Sequence, residues 1–120
     1  MKKVLIVEDY EDIRNFMKLL VESYGYHVIE AADGIEALTK VRQLSPDLVL
    51  MDISLPVVDG LTATRAIREC NSAEILPIIA VTAFGKLYYE KALAAGCNDL
   101  LDKPVDFDAL QPVLRQYLAS

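Results

Sequence analysis

Residues 48–52 of the chain read LVLMD, four apolar residues that end directly in an acidic one, and this stretch decides the fold. A run this short and this apolar is typical of a strand buried on both faces of a parallel sheet. Similar runs stand at residues 4–7 (VLIV), 78–81 (IIAV) and, more briefly, 100–101 (LL). A weaker run at 27–31 (HVIEA) has polar residues near both ends, which favours an edge strand.

Segments with helical periodicity separate these strands. Apolar residues within 13–24 follow the i, i+3, i+4, i+7 spacing of one helix face, and Gly25 is expected to stop that helix. Asp33 with Glu36 resembles a capping box for a second helix. The later helices are indicated by Leu61, Thr64, Ile67 and Cys70, by alanine-rich residues 86–95, and by Phe107, Leu110, Leu114 and Tyr117. Pro112 removes one backbone hydrogen bond from the last pattern, so we expect a bend or a late start there.

Five successive βα units predict an α/β fold, a doubly wound (βα)5 parallel sheet of five strands with helices on both faces. The first and third strands are the most apolar and should be central, whereas the second and fifth should be edges. That arrangement favours the strand order 2-1-3-4-5. Because no linker, repeat or low-complexity segment interrupts the pattern, we expect residues 1–120 to form one domain.

The composition of the chain argues against several classes of function. The chain has 120 residues, 12 basic and 18 acidic, for a net charge of −6, and 53% of its residues are apolar. A negative surface argues against direct nucleic-acid binding and suits a divalent cation or a basic protein partner. No apolar run approaches the roughly 20 residues of a membrane span. The first residues also lack a signal peptide, so we expect a cytoplasmic protein.

The cysteines and the single histidine offer little chemistry. Cys70 and Cys97 form no CxxC motif, and His27 is the only histidine, so a zinc site or a disulfide scaffold is disfavoured. A catalytic cysteine would have to pair with His27. We favour the simpler interpretation that both thiols are small buried side chains in a reducing cytosol.

Five polar side chains follow the predicted strands directly. Glu8 and Asp9 come after the first strand, Asp52 after the third, Thr82 after the fourth and Lys103 after the fifth. In an open parallel sheet the carboxyl ends of the strands share one edge, where ligands bind. Any one of these residues alone is more often a solvated loop residue or a helix cap, but five complementary groups together favour a site.

The five groups suit phosphoryl chemistry with a metal ion. Glu8, Asp9 and Asp52 bring three negative charges, half of the net charge of −6, and hard-cation binding relieves such repulsion. Asp52 can act as a nucleophile that forms an acyl phosphate. Lys103 and Thr82 can stabilise the phosphoryl oxygens. These residues therefore indicate a phosphoryl site that uses Mg²⁺.

Four motifs resemble one family: VLIVEDYED (4–12), LVLMDISLPVVDG (48–60), PIIAVTAF (77–84) and AGCNDLLDKPV (95–105). They resemble, in order and spacing, the response-regulator receiver domain of two-component signalling, over roughly residues 3–118. The resemblance implies the flavodoxin-like, CheY-like fold. It also implies a signalling domain whose only reactions are its own phosphorylation and dephosphorylation, rather than an enzyme acting on other substrates.

The resemblance also assigns roles to residues. Asp52 would accept a phosphoryl group from a phosphohistidine of a sensor histidine kinase or a histidine phosphotransfer protein. Glu8, Asp9, Asp52 and the backbone carbonyl of Ser54 would hold Mg²⁺. Thr82 would be the switch hydroxyl and Lys103 the phosphate-binding lysine. A downstream protein target would bind the face formed by the fourth helix, fifth strand and fifth helix, with no direct role for nucleic acid or membrane.

Some structural details follow from the same resemblance. The Lys103–Pro104 peptide is expected to be cis, in keeping with the near confinement of cis bonds to X–Pro. Pro56 and Gly60 would shape the loop after Asp52, with Gly60 free to adopt a positive φ.

Several positions depart from the family pattern. Leu100 stands where many receivers carry Tyr or Phe, so any switching would rest on packing and on Thr82. Ser54 and Phe84 occupy positions that tune hydrolysis in similar domains. We expect the bulky Phe84 to screen the phosphoryl group and slow self-dephosphorylation, the alternative being that it only packs on the fourth helix.

On the fourth helix, Tyr89 and Leu93 lie to the side of the Tyr88, Ala92 and Ala95 stripe. They could form an apolar patch for a partner, although we favour a place at the periphery of the core.

Three other functions compete with this interpretation. A haloacid-dehalogenase-type phosphohydrolase needs DxD after the first strand, where this chain has Glu8 and Asp9 adjacent. A flavin-binding flavodoxin needs a phosphate loop at a place where this chain is acidic. A receiver that is never phosphorylated is disfavoured because all five groups are present. The compact ends lean towards a stand-alone regulator rather than a segment of a larger protein.

Overall fold

The structure is a computed structural model that describes residues 1–119, and in it five strands alternate with five helices. The strands are β1 (Lys3–Val7), β2 (His27–Ala31), β3 (Leu48–Asp52), β4 (Ile78–Thr82) and β5 (Asp99–Asp102). The helices are α1 (Glu11–Ser23), α2 (Gly34–Leu44), α3 (Gly60–Arg68), α4 (Gly85–Ala95) and α5 (Phe107–Leu118). Within the described residues, no helix is both long enough and apolar enough to cross a membrane.

The strands form one parallel sheet in the order β2-β1-β3-β4-β5, which confirms the predicted topology. Every residue of β3 and β4 is buried, whereas β2 and β5 carry partly exposed residues as edge strands do. Along the chain, β1 leads first to β2 on one side, and the chain then returns to place β3 on the other side. The strand order therefore reverses between β1 and β3, and a doubly wound sheet opens a crevice at this point.

Two apolar layers cover the sheet, one on each face. Because side chains alternate along a strand, Leu5 and Val7 face one layer and Val4 and Ile6 the other. The first layer packs against α2, α3 and α4, and the second against α1 and α5. This packing holds the carboxyl ends of β1 and β3 rigidly side by side.

Aspartate side chains cap three of the helices. Asp33 accepts a hydrogen bond from the Glu36 N–H at 2.8 Å, as the capping-box pattern predicts. Asp59 caps α3 and Asp106 caps α5 through equivalent contacts to backbone N–H groups. Each cap satisfies donors that the helix cannot satisfy itself, so the sequence marks where these helices begin.

Three local predictions are wrong: the helical place of Cys70, its burial, and the late start that was one of the two outcomes expected from Pro112, the other of which, a bend, stays a prediction. Cys70 lies beyond the end of α3 and is exposed, so only Cys97 is the buried thiol that we expected. The helix that contains Pro112 begins at Phe107, directly after its Asp106 cap, so it does not start late. Its first turn forms because the Leu110 N–H donates to the Asp106 carbonyl at 3.0 Å and the Ala109 N–H to the Asp106 side chain at 2.8 Å, and neither bond needs the N–H that Pro112 lacks.

On α1 and α4, only some of the apolar residues are buried, and the others are exposed. Met17 and Val21 of α1 are buried, whereas Ile13 and Phe16 are 39% and 53% exposed. On α4, Ala92 and Ala95 are buried as predicted. Tyr89 and Leu93 remain 49% and 40% exposed, so the peripheral-core interpretation of this pair is wrong. The chain thus presents apolar side chains on two helices.

Candidate functional site

Three carboxylates meet at the crevice between β1 and β3. Glu8 and Asp9 follow β1, Asp52 ends β3, and Val7 is paired with Met51 in the neighbouring register position. One oxygen from each of Glu8, Asp9 and Asp52 lies within 4.8 Å of the others. Glu8 and Asp52 are buried and Asp9 is exposed. The topology therefore brings together the three acidic residues that the sequence placed at this edge.

Lys103 lies between two of these carboxylates. Its ammonium group is 2.9 Å from Glu8 Oε1 and 3.0 Å from Asp52 Oδ2. Burial alone would lower the pKa of Lys103, but the hydrogen bonds and charges of Glu8 and Asp52 outweigh it and raise the pKa. Three carboxylates against one ammonium leave a local charge of −2 that a divalent cation can balance.

The carboxylate of Asp52 is held from two sides. Oδ1 accepts a hydrogen bond from the Ser54 N–H at 3.0 Å, while Oδ2 contacts Lys103. Glu8 is fixed similarly, because its Oε2 accepts from the Tyr10 N–H at 3.0 Å. These contacts hold both buried carboxylates in a set orientation and leave Asp9 as the exposed member of the group.

Thr82 lies next to the site without bonding to its carboxylates. Its backbone carbonyl accepts from the Lys103 N–H at 2.9 Å, and its Oγ1 accepts from the Phe84 N–H at 3.1 Å. Across residues 1–119, this hydroxyl makes no hydrogen bond to Glu8, Asp9, Asp52 or the Lys103 ammonium. The structure thus brings four of the five predicted groups into one cluster and leaves Thr82 at its border.

Gly60 shapes the loop after Asp52 for a different reason than we expected. Its φ is not positive, and the positive φ in this loop belongs to Val57 at 66°. A Cβ on Gly60 would lie 2.8 Å from Ile53 Cα and closer still to the Asp52 carbonyl oxygen. Glycine is therefore required because α3 starts against the backbone of the acidic residue itself. The predicted cis peptide at Lys103–Pro104 is confirmed.

Leu100, at the position where many domains of the similar family carry an aromatic residue, lies beside the start of α4. A Cβ placed on Gly85 would be 3.0 Å from Leu100 Cδ2, and the Asp102 carboxylate lies on the same side of Gly85. Leu100 is partly buried and packs against the first core layer. Packing is the contact that this side chain offers to α4, and its part in any switching stays a prediction.

Sequence reasoning missed Arg14. Its Nη1 donates to the Glu8 carbonyl oxygen at 2.9 Å, and its Nε contacts Glu30 Oε1 at 3.1 Å. The available signal was Glu30, a charged residue inside a strand pattern next to an amphipathic helix. That signal does not reveal a contact with a backbone carbonyl 6 residues earlier.

An apolar cleft of about 230 Å³ adjoins the site. It lies between α1 and residues 103–105, with Ile13, Phe16 and Met17 on one wall and Pro104 and Val105 on the other. The exposed parts of Ile13 and Phe16 face this cleft, and Lys103 closes its end towards the carboxylates.

Comparison with known proteins gives consistent results. Residues 4–115 match the family model described as response regulator receiver domain. The polar-differentiation response regulator DivK of Brucella anthropi is 38% identical over 120 residues, covering 99% of this chain and 98% of that protein.

Solved structures agree. The receiver domain of the sensor histidine kinase PA1611 from Pseudomonas aeruginosa, which has a magnesium ion coordinated in its active site cleft, superposes with a TM-score of 0.90 at 38% identity. The match covers 99% of this chain and 98% of that one. The chemotaxis protein CheY4 of Vibrio cholerae matches with a TM-score of 0.90 at 30% identity, covering 98% of both chains.

Proposed function

The chain belongs to the response regulator receiver domain family of two-component systems, and we propose that Asp52 is its phosphoacceptor. The observation that carries the assignment is the position of Asp52, buried at the crevice, bonded to Lys103 and within 4.8 Å of two further carboxylates. Family membership sets aside the phosphohydrolase and flavodoxin alternatives. It leaves the receiver that is never phosphorylated as the interpretation to test.

The acidic group fits Mg²⁺, the cofactor of this family site. Glu8, Asp9 and Asp52 supply hard oxygen ligands at compatible spacing, and we propose the backbone carbonyl of Ser54 as a further ligand. When bound, the ion neutralises negative charge on the phosphoryl oxygens during transfer. Asp9, which is exposed, is the ligand most accessible to an arriving ion.

The other roles in phosphoryl transfer fall to side chains of this protein. Asp52 supplies the attacking oxygen, so that the P–N bond of a phosphohistidine breaks, a P–O bond forms, and the electron pair stays on the histidine nitrogen. Lys103 moves from the carboxylate to a phosphoryl oxygen, and Thr82 exchanges its bond to the Phe84 N–H for one to the phosphoryl group. The same residues support loss of the phosphoryl group to water, which makes the domain a self-resetting switch.

The remaining assignments are proposals of the same kind. We propose that residues 1–120 form one receiver domain in the cytoplasm, phosphorylated by a sensor histidine kinase or a histidine phosphotransfer protein. We further propose that a downstream protein binds the face of α4, β5 and α5. The exposed Tyr89 and Leu93 support that face, as does the Tyr117 hydroxyl, which bonds to Asp99 Oδ2 at 3.3 Å and ties α5 to β5.

A single experiment tests the proposed function. The protein is incubated with acetyl phosphate in the presence of MgCl₂, and its intact mass is measured. We expect the mass of one phosphoryl group to be added, and an excess of chelator to prevent the addition. A chain that gains no phosphoryl group from acetyl phosphate or from a phosphohistidine donor would be a receiver that only binds partners.

Phe84 is predicted to set the lifetime of the phosphorylated state. Its ring is 61% exposed at the rim beside Thr82, and it offers no polar group to orient water. Phe84→Glu should therefore speed hydrolysis several-fold, because a carboxylate there can hold an attacking water. The rate is measured as the decay of the phosphorylated mass with time. The control is Leu87→Glu, which introduces the same charge at an exposed position of α4. Equal decay in Phe84→Glu and wild type would remove Phe84 from this role.

A further inference from the structure

Arg14 connects three parts of the chain at the edge of the carboxylate site. It belongs to the first turns of α1, and its N–H donates to the Tyr10 carbonyl at 2.9 Å. Its guanidinium donates to the Glu8 carbonyl at 2.9 Å and contacts Glu30 Oε1 of β2 at 3.1 Å. A planar guanidinium presents its donors in a fixed fork, so that Nε and Nη1 serve these two acceptors in one set orientation.

The backbone of Glu8 is consequently fixed on both sides. Its N–H donates to the Ala31 carbonyl at 3.0 Å, and its carbonyl accepts from Arg14. Its two carboxylate oxygens contact Lys103 and the Tyr10 N–H. Arg14 therefore adds a second connection between Glu8 and β2, which runs through α1 and Glu30, beside the direct bond from the Glu8 N–H to Ala31.

From this geometry we propose that Arg14, oriented by Glu30, is a positioning residue for metal binding, an inference that rests on the proposed function. Mg²⁺ demands near-ideal octahedral geometry, so its affinity depends on small displacements of Glu8 and Asp9. Residues that orient metal ligands without touching the ion alter affinity by about 10–100-fold when they are replaced.

The charge of Arg14 and its positioning hydrogen bonds predict opposite effects on Mg²⁺ affinity when this residue is replaced. Arg14 carries a positive charge close to a site that binds a cation, so its removal should tighten Mg²⁺ binding if charge dominates. Removal should weaken binding if the two hydrogen bonds dominate, because the Glu8 carbonyl then loses the donor that Glu30 orients, and the Glu8 N–H bond to Ala31 remains as the link to β2. Both hydrogen bonds are partly buried, with the Arg14 side chain 18% exposed. We therefore expect the loss of these bonds to affect Mg²⁺ binding more than the loss of the positive charge.

Lys18 provides a matched control on the same helix. Its ammonium is 3.5 Å from Glu30 Oε2, and its side chain is 38% exposed. Lys18→Gln removes a positive charge near Glu30 and leaves the Glu8 carbonyl contact intact. An exposed pair of this length contributes little, so this variant should bind Mg²⁺ as the wild type does.

Calorimetric titration with MgCl₂ alone measures the affinity of each variant, since the chain has no tryptophan to report binding. We expect Arg14→Gln to weaken Mg²⁺ binding about 10-fold. The double variant with Glu30→Gln should bind no more weakly than Arg14→Gln alone, because both changes break the same connection. An affinity for Arg14→Gln equal to or higher than that of the wild type would overturn the inference.

Phosphorylation by acetyl phosphate supplies a readout that general damage to the fold would not produce. In Arg14→Gln the Mg²⁺ concentration for half-maximal rate should rise about 10-fold, while the rate at saturating Mg²⁺ stays within about twofold. A lower rate at saturation with an unchanged half-maximal concentration would contradict a positioning role. If Arg14→Gln does not fold by circular dichroism, Arg14→Lys carries the test and should also bind Mg²⁺ more weakly.

Failure of this inference is separable from failure of the proposed function. A wild-type chain that binds no Mg²⁺ and gains no phosphoryl group defeats the proposed function. A wild type that does both, together with an Arg14→Gln variant that matches it, defeats only the role of Arg14.

Discussion

Asp52→Asn is expected to eliminate phosphoryl incorporation while leaving the fold intact. An amide oxygen is far less nucleophilic than a carboxylate and cannot form a stable acyl phosphate. Asparagine has nearly the same shape, so its Oδ1 can still accept the Ser54 N–H, and Lys103 keeps its contact with Glu8. Intact-mass measurement after incubation with acetyl phosphate and Mg²⁺ should therefore show the wild type modified and this variant unmodified.

The matched control is Asp108→Asn. Asp108 is exposed in the first turn of α5, outside the site, and the same chemical change there should leave incorporation at the wild-type level. Circular dichroism of both variants separates loss of reactivity from loss of structure. Undiminished incorporation in Asp52→Asn would place the acceptor on another residue.

Gly60→Val should produce the largest loss of stability. Its Cβ would lie 2.8 Å from Ile53 Cα, and still nearer the Asp52 carbonyl, so the start of α3 must move away from β3. Overpacking against backbone that cannot shift costs about 3 kcal/mol. Urea denaturation followed by circular dichroism should show a correspondingly lower midpoint, with phosphorylation reduced in the folded fraction because the displaced backbone includes Asp52.

Gly25→Ala separates crowding from backbone strain. Gly25 has a φ of 94°, and a Cβ placed on it would meet no atom within 4 Å, so alanine there meets only the left-handed penalty of about 1–2 kcal/mol. We expect a smaller loss of stability than in Gly60→Val and no effect on phosphorylation. An equal loss in the two variants would mean that Gly60 is not held by its close contact with β3.

The fold could be predicted because its signals are local. Apolar runs at residues 48–51 and 78–81 can be satisfied only by burial on both sides, and the structure buries every residue of β3 and β4. The convergence of Glu8, Asp9 and Asp52 followed from topology, since parallel strands end at the same edge. The roles of these residues in phosphoryl transfer stay predictions until the chemistry is measured.

What escaped prediction depends on contacts distant in sequence. The requirement for Gly60 arises from the path of the loop back to β3, which no local pattern encodes, and a glycine in sequence suggests only backbone freedom. Arg14 bonds to a backbone carbonyl, an acceptor that every residue carries, so its partner cannot be identified from residue types. Ile13 and Phe16 fit the apolar stripe of α1, yet they are exposed and line a cleft against Pro104 and Val105, which lie far away in sequence.

The position of the phosphoryl group tests the central claim most directly. The wild-type protein is phosphorylated with acetyl phosphate and Mg²⁺ and then treated with borohydride, which reduces an acyl phosphate of aspartate to homoserine. Peptide mass spectrometry then locates the altered residue. We predict homoserine at position 52, and its absence there, or its presence instead at position 9, would contradict the assignment of Asp52 as the phosphoacceptor.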